Sequence, residues 1–113
     1  MSVESHTYYI YNKSTENELI LKDFEWDERK NEANRLRHRL DFRNAVLVFE
    51  DIGRLRWLDN RKNYGEIRYQ TIGRVLNNVL FVVYTIRNGN IRIISARKAD
   101  KKERSLYDNK KNN

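Results

Sequence analysis

From Asp51 to Arg97 the apolar residues recur with a period of two, and the dipeptide Asn88-Gly89 separates the last two runs. A period of two puts alternate side chains on opposite faces of a pleated strand. Asn-Gly suits the tight hairpin turn in which both central residues take positive φ. Strands are therefore predicted at about 53–59, 66–75, 79–87 and 90–97, with Asn77-Asn78 and Asn88-Gly89 separating the last three. Such a series folds as an antiparallel meander.

Upstream the period lengthens. Asp27 is a good helix N-cap, and Ala33, Leu36 and Leu40 follow at helical spacing on one face. Lys30, Asn34, Arg37 and His38 share an adjacent polar face that can point to a ligand. Asp41 caps a second short helix with Phe42, Ala45, Val46 and Phe49 as its apolar stripe. A last helix starts near Asp100, where Asp100-Lys-Lys-Glu103 has capping-box spacing. Residues 1–22 read as an extension: Thr7–Tyr11 and Glu18–Lys22 are either two short strands around a polar turn at 12–17 or a partly disordered segment. The expected domains are the extension, a folded unit over 23–108 and a polar tail at 109–113. Helices followed by consecutive strands imply an α+β fold: two N-terminal helices, an antiparallel meander and a C-terminal helix.

Composition narrows the chemistry. No cysteine is present among the 113 residues, which removes disulfides, thiol catalysis and cysteine zinc sites. Two histidines, His6 and His38, do not make a multi-histidine metal site, so neither a metal nor another cofactor is expected. The first ten residues lack a signal-peptide pattern, and the apolar stretch Val79–Ile86 is far too short to span a membrane. A cytoplasmic domain with no membrane partner is expected. The 23 Lys and Arg exceed the 16 Asp and Glu by seven, and residues 97–113 supply four of those net charges. A polyanion or an acidic protein is a natural partner.

No phosphate-binding glycine loop, zincin pair or nucleophile elbow is present. The cationic and proton-shuttling side chains instead suit RNA cleavage through the RNA's own 2′-OH. That reaction needs a base, an acid and cations for the phosphorane. His38 has an unperturbed pKa near neutrality. Glu66 serves as base if its pKa is raised, with Arg68 on the same strand face and Arg97 ending the last strand. Lys30 lies two turns before His38, and Tyr64 and Tyr107 can donate protons or stack on bases. Each has a plainer alternative: a surface or cap histidine, a Glu66–Arg68 ion pair, an Arg97 that anchors the final helix. Trp57, among Arg54, Arg56 and Arg61, reads as a base-stacking residue or as a core tryptophan.

A family resemblance sharpens this pattern. Phe24-Glu-Trp-Asp27 followed by Lys30, Asn34 and His38, then Phe42, Ala45, Phe49 and Asp51, resembles the opening of the BrnT-type toxins. Tyr64-Gly-Glu66, Arg68, Ile72-Gly73 and Arg92-Ile-Ile-Ser-Ala-Arg97, with Ala99, Glu103 and Tyr107, are similar to the remainder in order and spacing. The resemblance covers about 23–108. It implies a ribonuclease toxin of a type II toxin–antitoxin pair, a compact RelE-like fold and metal-independent RNA cleavage. It also implies a BrnA-like ribbon-helix-helix antitoxin that blocks the toxin and carries it to operator DNA, with a two-plus-two heterotetramer expected. Lys30, His38, Glu66, Arg68, Arg92, Arg97 and Tyr107 carry over. Side-chain chemistry assigns acid–base work to His38 and phosphate to Arg68 and Arg97, with Lys30, Arg92, Tyr64 and Tyr107 on the RNA.

Two departures stand out. Arg39 replaces the glycine that usually follows the helix-1 histidine, and typical members lack residues 1–22. A competing reading is a non-catalytic basic interaction module for an acidic protein or nucleic acid. A DNA-binding regulator is a third, with no helix-turn-helix or basic-helix signature to support it.

Overall fold

The computed structural model describes the backbone of residues 3–12 and 18–110, with side chains for residues 6, 7 and 22–110. The elements run β1 (Val3–Asn12), β2 (Glu18–Asp27), α1 (Glu28–His38), α2 (Phe42–Ala45), a 3₁₀ turn (Val46–Glu50), β3 (Leu55–Leu58), β4 (Arg68–Val75), β5 (Asn78–Arg87), β6 (Asn90–Lys98) and α3 (Lys101–Asn109). The fold is α+β, with one six-stranded sheet in the order β1-β2-β6-β5-β4-β3. β3 to β6 pair antiparallel in chain order. The sheet as a whole is mixed, because β2 joins β6 in parallel at Phe24–Ile91 and Glu25–Arg92. β1 and β2 form a hairpin paired over ten positions, so the extension takes the strand form of its two alternatives. Its connecting residues 13–17 and the end of the tail, 111–113, lie outside the described residues. β2 runs unbroken across positions 22 and 23.

Two apolar clusters flank the sheet. Phe24, Trp26, Phe42, Val46, Val48 and Phe49 pack with Leu80, Val82, Tyr84 and Ile93 on one face, under α2 and the 3₁₀ turn. Ile72, Val79, Phe81 and Val83 form the other with Tyr107 of α3. Gly73 allows β4 to lie against the 3₁₀ turn: an added Cβ would meet Cγ2 of Val48 at 2.5 Å.

The local signals hold where they are local. Asp27, Asp41 and Asp100 each accept a backbone N–H at the start of a helix, and Asp100 with Glu103 completes the capping box. Asn88 and Gly89 take φ 51° and 81°, as the turn requires. Two expectations are corrected and one alternative is decided. The turn before β5 is at Leu76-Asn77, with Leu76 at φ 55°, and Asn78 already begins the strand. Trp57, of its two readings, takes the core one: it is half-buried against the second cluster, with its indole N–H donated to Gln70. In α1 the apolar positions face solvent, leaving Leu36 83% exposed, while Asn31 and Asn34 are buried.

Candidate functional site

The reason for that inversion is where α1 sits. Beyond Arg92, β6 no longer pairs with β2, and α1 lies along the edge this opens. An exposed strand edge needs hydrogen-bond partners rather than apolar cover. Asn34 supplies them, donating to the Ala96 carbonyl at 2.8 Å and accepting its N–H at 3.1 Å. A third bond reaches the Leu40 carbonyl at 2.8 Å. Asn31 accepts the Phe42 N–H and donates to Glu28 and Asp41. The polar face of α1 thus divides: Asn34 is structural, while Lys30, Arg37 and His38 line a groove of about 220 Å³ with Ala33, Ile94 and Ser95.

His38 closes α1 on this groove. Burial first, then the charges of Arg37 and Arg97, hold its imidazole below the ordinary histidine pKa. Arg97 lies on the α3 face of the sheet, its guanidinium 4.2 Å over the Phe81 ring and doubly bonded to Glu103 at 2.7 and 2.9 Å. Arg92 shares that face despite an odd spacing from Arg97. The register steps from Val83–Ser95 to Tyr84–Ile93, so Ile94 is the extra residue of a bulge that restores the parity. Arg68, Thr85, Arg92 and Glu25 then stand opposite one another on β4, β5, β6 and β2. Arg68 and Arg92 are two strand spacings apart, about 10 Å.

Every arginine of this face is held by a carboxylate. Arg92 donates to Glu25 at 2.6 Å, Arg68 to Glu66 at 2.9 Å, and Arg61 to Asp59 at 2.8 and 2.9 Å. Glu66 also takes Arg87 at 2.8 Å. The Arg87 hydrogen bond, joined by Arg68 and opposed by burial, keeps the Glu66 carboxyl below its ordinary range. Glu66 is thus clamped between two arginines, and none of these contacts raises its pKa toward that of a base.

The tyrosines are also committed. The Tyr64 ring carries the Arg68 guanidinium at 4.3 Å and the Lys62 ammonium at 5.3 Å. Tyr107 is buried, donating to Asp51 at 2.5 Å; burial and that carboxylate push its pKa up to about 12. It tethers α3 to the 3₁₀ end of the core, so the expected RNA contact at Tyr107 becomes a structural one.

The structure thus brings His38 and Lys30 together at the groove, sets Arg97 on the neighbouring sheet face near enough for its charge to act on His38, and places Arg68 and Arg92 farther along that face. In the sequence Arg61, Glu25 and Glu103 were named without a place among the site residues, and Arg87 was not named. Arg87 was recoverable: moving the turn to Leu76-Asn77 extends the ladder to Glu66 opposite Arg87. Arg61, 5.9 Å from the Phe81 ring centre, comes from a loop without periodicity, so its place on this face could not be read from the pattern. Among the described residues, no three His, Asp or Glu side chains gather as a metal site.

A sheet face that carries guanidinium groups, with a histidine on the adjoining groove whose charged form is disfavoured, defines a small basic α+β domain suited to phosphate esters. The family model of the ribonuclease toxin BrnT of type II toxin–antitoxin systems matches residues 26–103, and the chain belongs to that family. It is a ribonuclease toxin whose activity an antitoxin neutralises. No curated protein matches the chain.

Proposed function

We propose that the chain cuts RNA without a metal ion, at the His38 end of the sheet face. The 2′-oxygen attacks the adjacent phosphorus as the P–O5′ bond breaks, leaving a 2′,3′-cyclic phosphate and, once the 5′-oxygen is protonated, a 5′-hydroxyl. His38 transfers protons, Arg97 and Arg68 take the phosphorane charge, and Lys30 and Arg92 hold the flanking backbone. The observation that carries this reading is the groove on which Lys30, Arg37 and His38 meet, with the Arg97 charge near enough to act on the His38 imidazole. The domain over 23–108 is read as RelE-like and cytoplasmic, with residues 1–22 an added hairpin. Its partner is read as a BrnA-like ribbon-helix-helix antitoxin in a two-plus-two heterotetramer that alone reaches operator DNA.

The test is cleavage of a defined RNA by purified protein in EDTA, with analysis of the product ends. Undiminished cutting with cyclic or 3′-phosphate ends is expected. Activity that disappears in EDTA and returns with Mg²⁺ counts against the mechanism.

A further inference from the structure

We propose that Glu103 is the positioning residue for Arg97, and that the Nε–Nη2 edge it leaves open is the fork that receives the scissile phosphate. This rests on the reading of Arg97 given above and adds a residue to it. Arg97 Nη1 donates to Oε1 of Glu103 at 2.7 Å and to the Lys98 carbonyl at 3.3 Å; Nη2 donates to Oε2 at 2.9 Å. A guanidinium has five N–H donors in one plane. Three are used, so Nε–H and the second Nη2–H remain, parallel and on the same edge. That edge matches two oxygens of a phosphate.

The plane itself is fixed by Phe81 and by Glu103. Phe81 lies against its face at 4.2 Å. Glu103 grips one end, and Glu103 is in turn fixed by the capping box: Oε1 accepts the Asp100 N–H at 2.9 Å, and its own N–H donates to Asp100 at 2.8 Å. The α3 N-terminus therefore sets the orientation of a β6 side chain. Arg61 makes the contrast, since Asp59 occupies its Nε and Nη2 donors. Among these pairs, Glu103 holds its arginine by the terminal nitrogens and leaves the side fork open.

Glu103→Gln separates the two jobs of this residue. Glutamine still completes a capping box, but it replaces one of the two acceptors facing Arg97 with an amide. Three quantities are compared for the full-length wild type, E103Q, R97A and the double variant: melting temperature, affinity for an uncuttable 2′-O-methyl RNA, and single-turnover cleavage. E103Q is expected to melt near the wild type and to bind the methylated RNA at least as tightly, one negative charge having gone. It is expected to cut ten- to a hundredfold more slowly, and to add no further loss in the R97A background. Wild-type cleavage by E103Q, an added loss on R97A, or a rate that merely tracks weaker binding and lower melting overturns the proposal. Wild-type cutting confined to Mg²⁺ overturns the metal-free reading alone, because the same four proteins are then compared in Mg²⁺. A wild type that cuts in neither buffer overturns both.

Discussion

Arg39 ends α1 at φ 55°, with its N–H donated to the Arg35 carbonyl at 2.8 Å. The left-handed turn is kept although the residue is not glycine, so His38 remains the last helical residue and faces the groove. The strain costs about 1 kcal/mol relative to glycine. Arg39→Gly is therefore expected to raise the melting temperature by a few degrees, about 1 kcal/mol for a domain of this size, with cleavage unchanged; scanning calorimetry beside a cleavage assay checks both. His38 gives the pH prediction. Its neutral form is favoured by burial and by Arg37 and Arg97, so its folded pKa lies below 6.5. As a base it stays competent to lower pH than a free imidazole, and the acid limb of the rate profile falls below that value. Removing the Arg97 charge in R97A moves the His38 pKa upward, which NMR titration of the imidazole reads directly. A downward movement would sink the assignment of Arg97 as its neighbour.

Between elements, the α1–β6 contact is made by amides rather than methyls. Asn34→Ala leaves the buried N–H and carbonyl of Ala96 without their side-chain partner and is expected to cost about 2–4 kcal/mol. Leu36→Lys, on the solvent side of the same helix, is expected to change stability by less than about 0.5 kcal/mol. Urea unfolding of the two variants distinguishes this from the amphipathic reading, in which the order is reversed. That reading failed for a physical reason. Periodicity reports which residues are apolar, but a helix placed on a strand edge buries whatever satisfies backbone groups, here Asn31 and Asn34. By contrast α2 and the 3₁₀ turn cover a sheet face, and their apolar stripe Phe42, Ala45, Val46 and Phe49 is buried as the pattern predicts.

Across the whole molecule, a net charge of +7 coexists with arginines that are each paired on this sheet face. Phosphate binding must compete with Asp59, Glu66 and Glu25, while Glu103 leaves one edge of Arg97 open, so the free face is less attractive to anions than its arginine content suggests. An antitoxin that silences it is expected to present carboxylates and apolar side chains to the groove and to yield a complex much less basic than the toxin. Light scattering of the co-expressed pair, beside an RNA-cleavage assay, checks the two-plus-two assembly and the occlusion together. A one-to-one complex that still cuts RNA counts against both.

Local chemistry was legible in the sequence. The capping aspartates Asp27, Asp41 and Asp100, the Asn88-Gly89 turn and the approximate strands depend on residues within a few positions of one another. The family motif marked His38, Arg68, Arg92 and Arg97 before their geometry was known. Which face of the sheet each arginine occupies was not legible. Strict alternation from 92 to 97 puts those two arginines on opposite faces, and only the Ile94 bulge in the β5–β6 ladder returns them to one. Likewise β2 reaches β6 in parallel from 65 residues and more away in sequence, and that pairing brings Glu25 to Asn90 and Arg92. Register and edge pairing are set by contacts between distant segments, so the tertiary structure alone decided which carboxylate holds each arginine and which edge of Arg97 stays open.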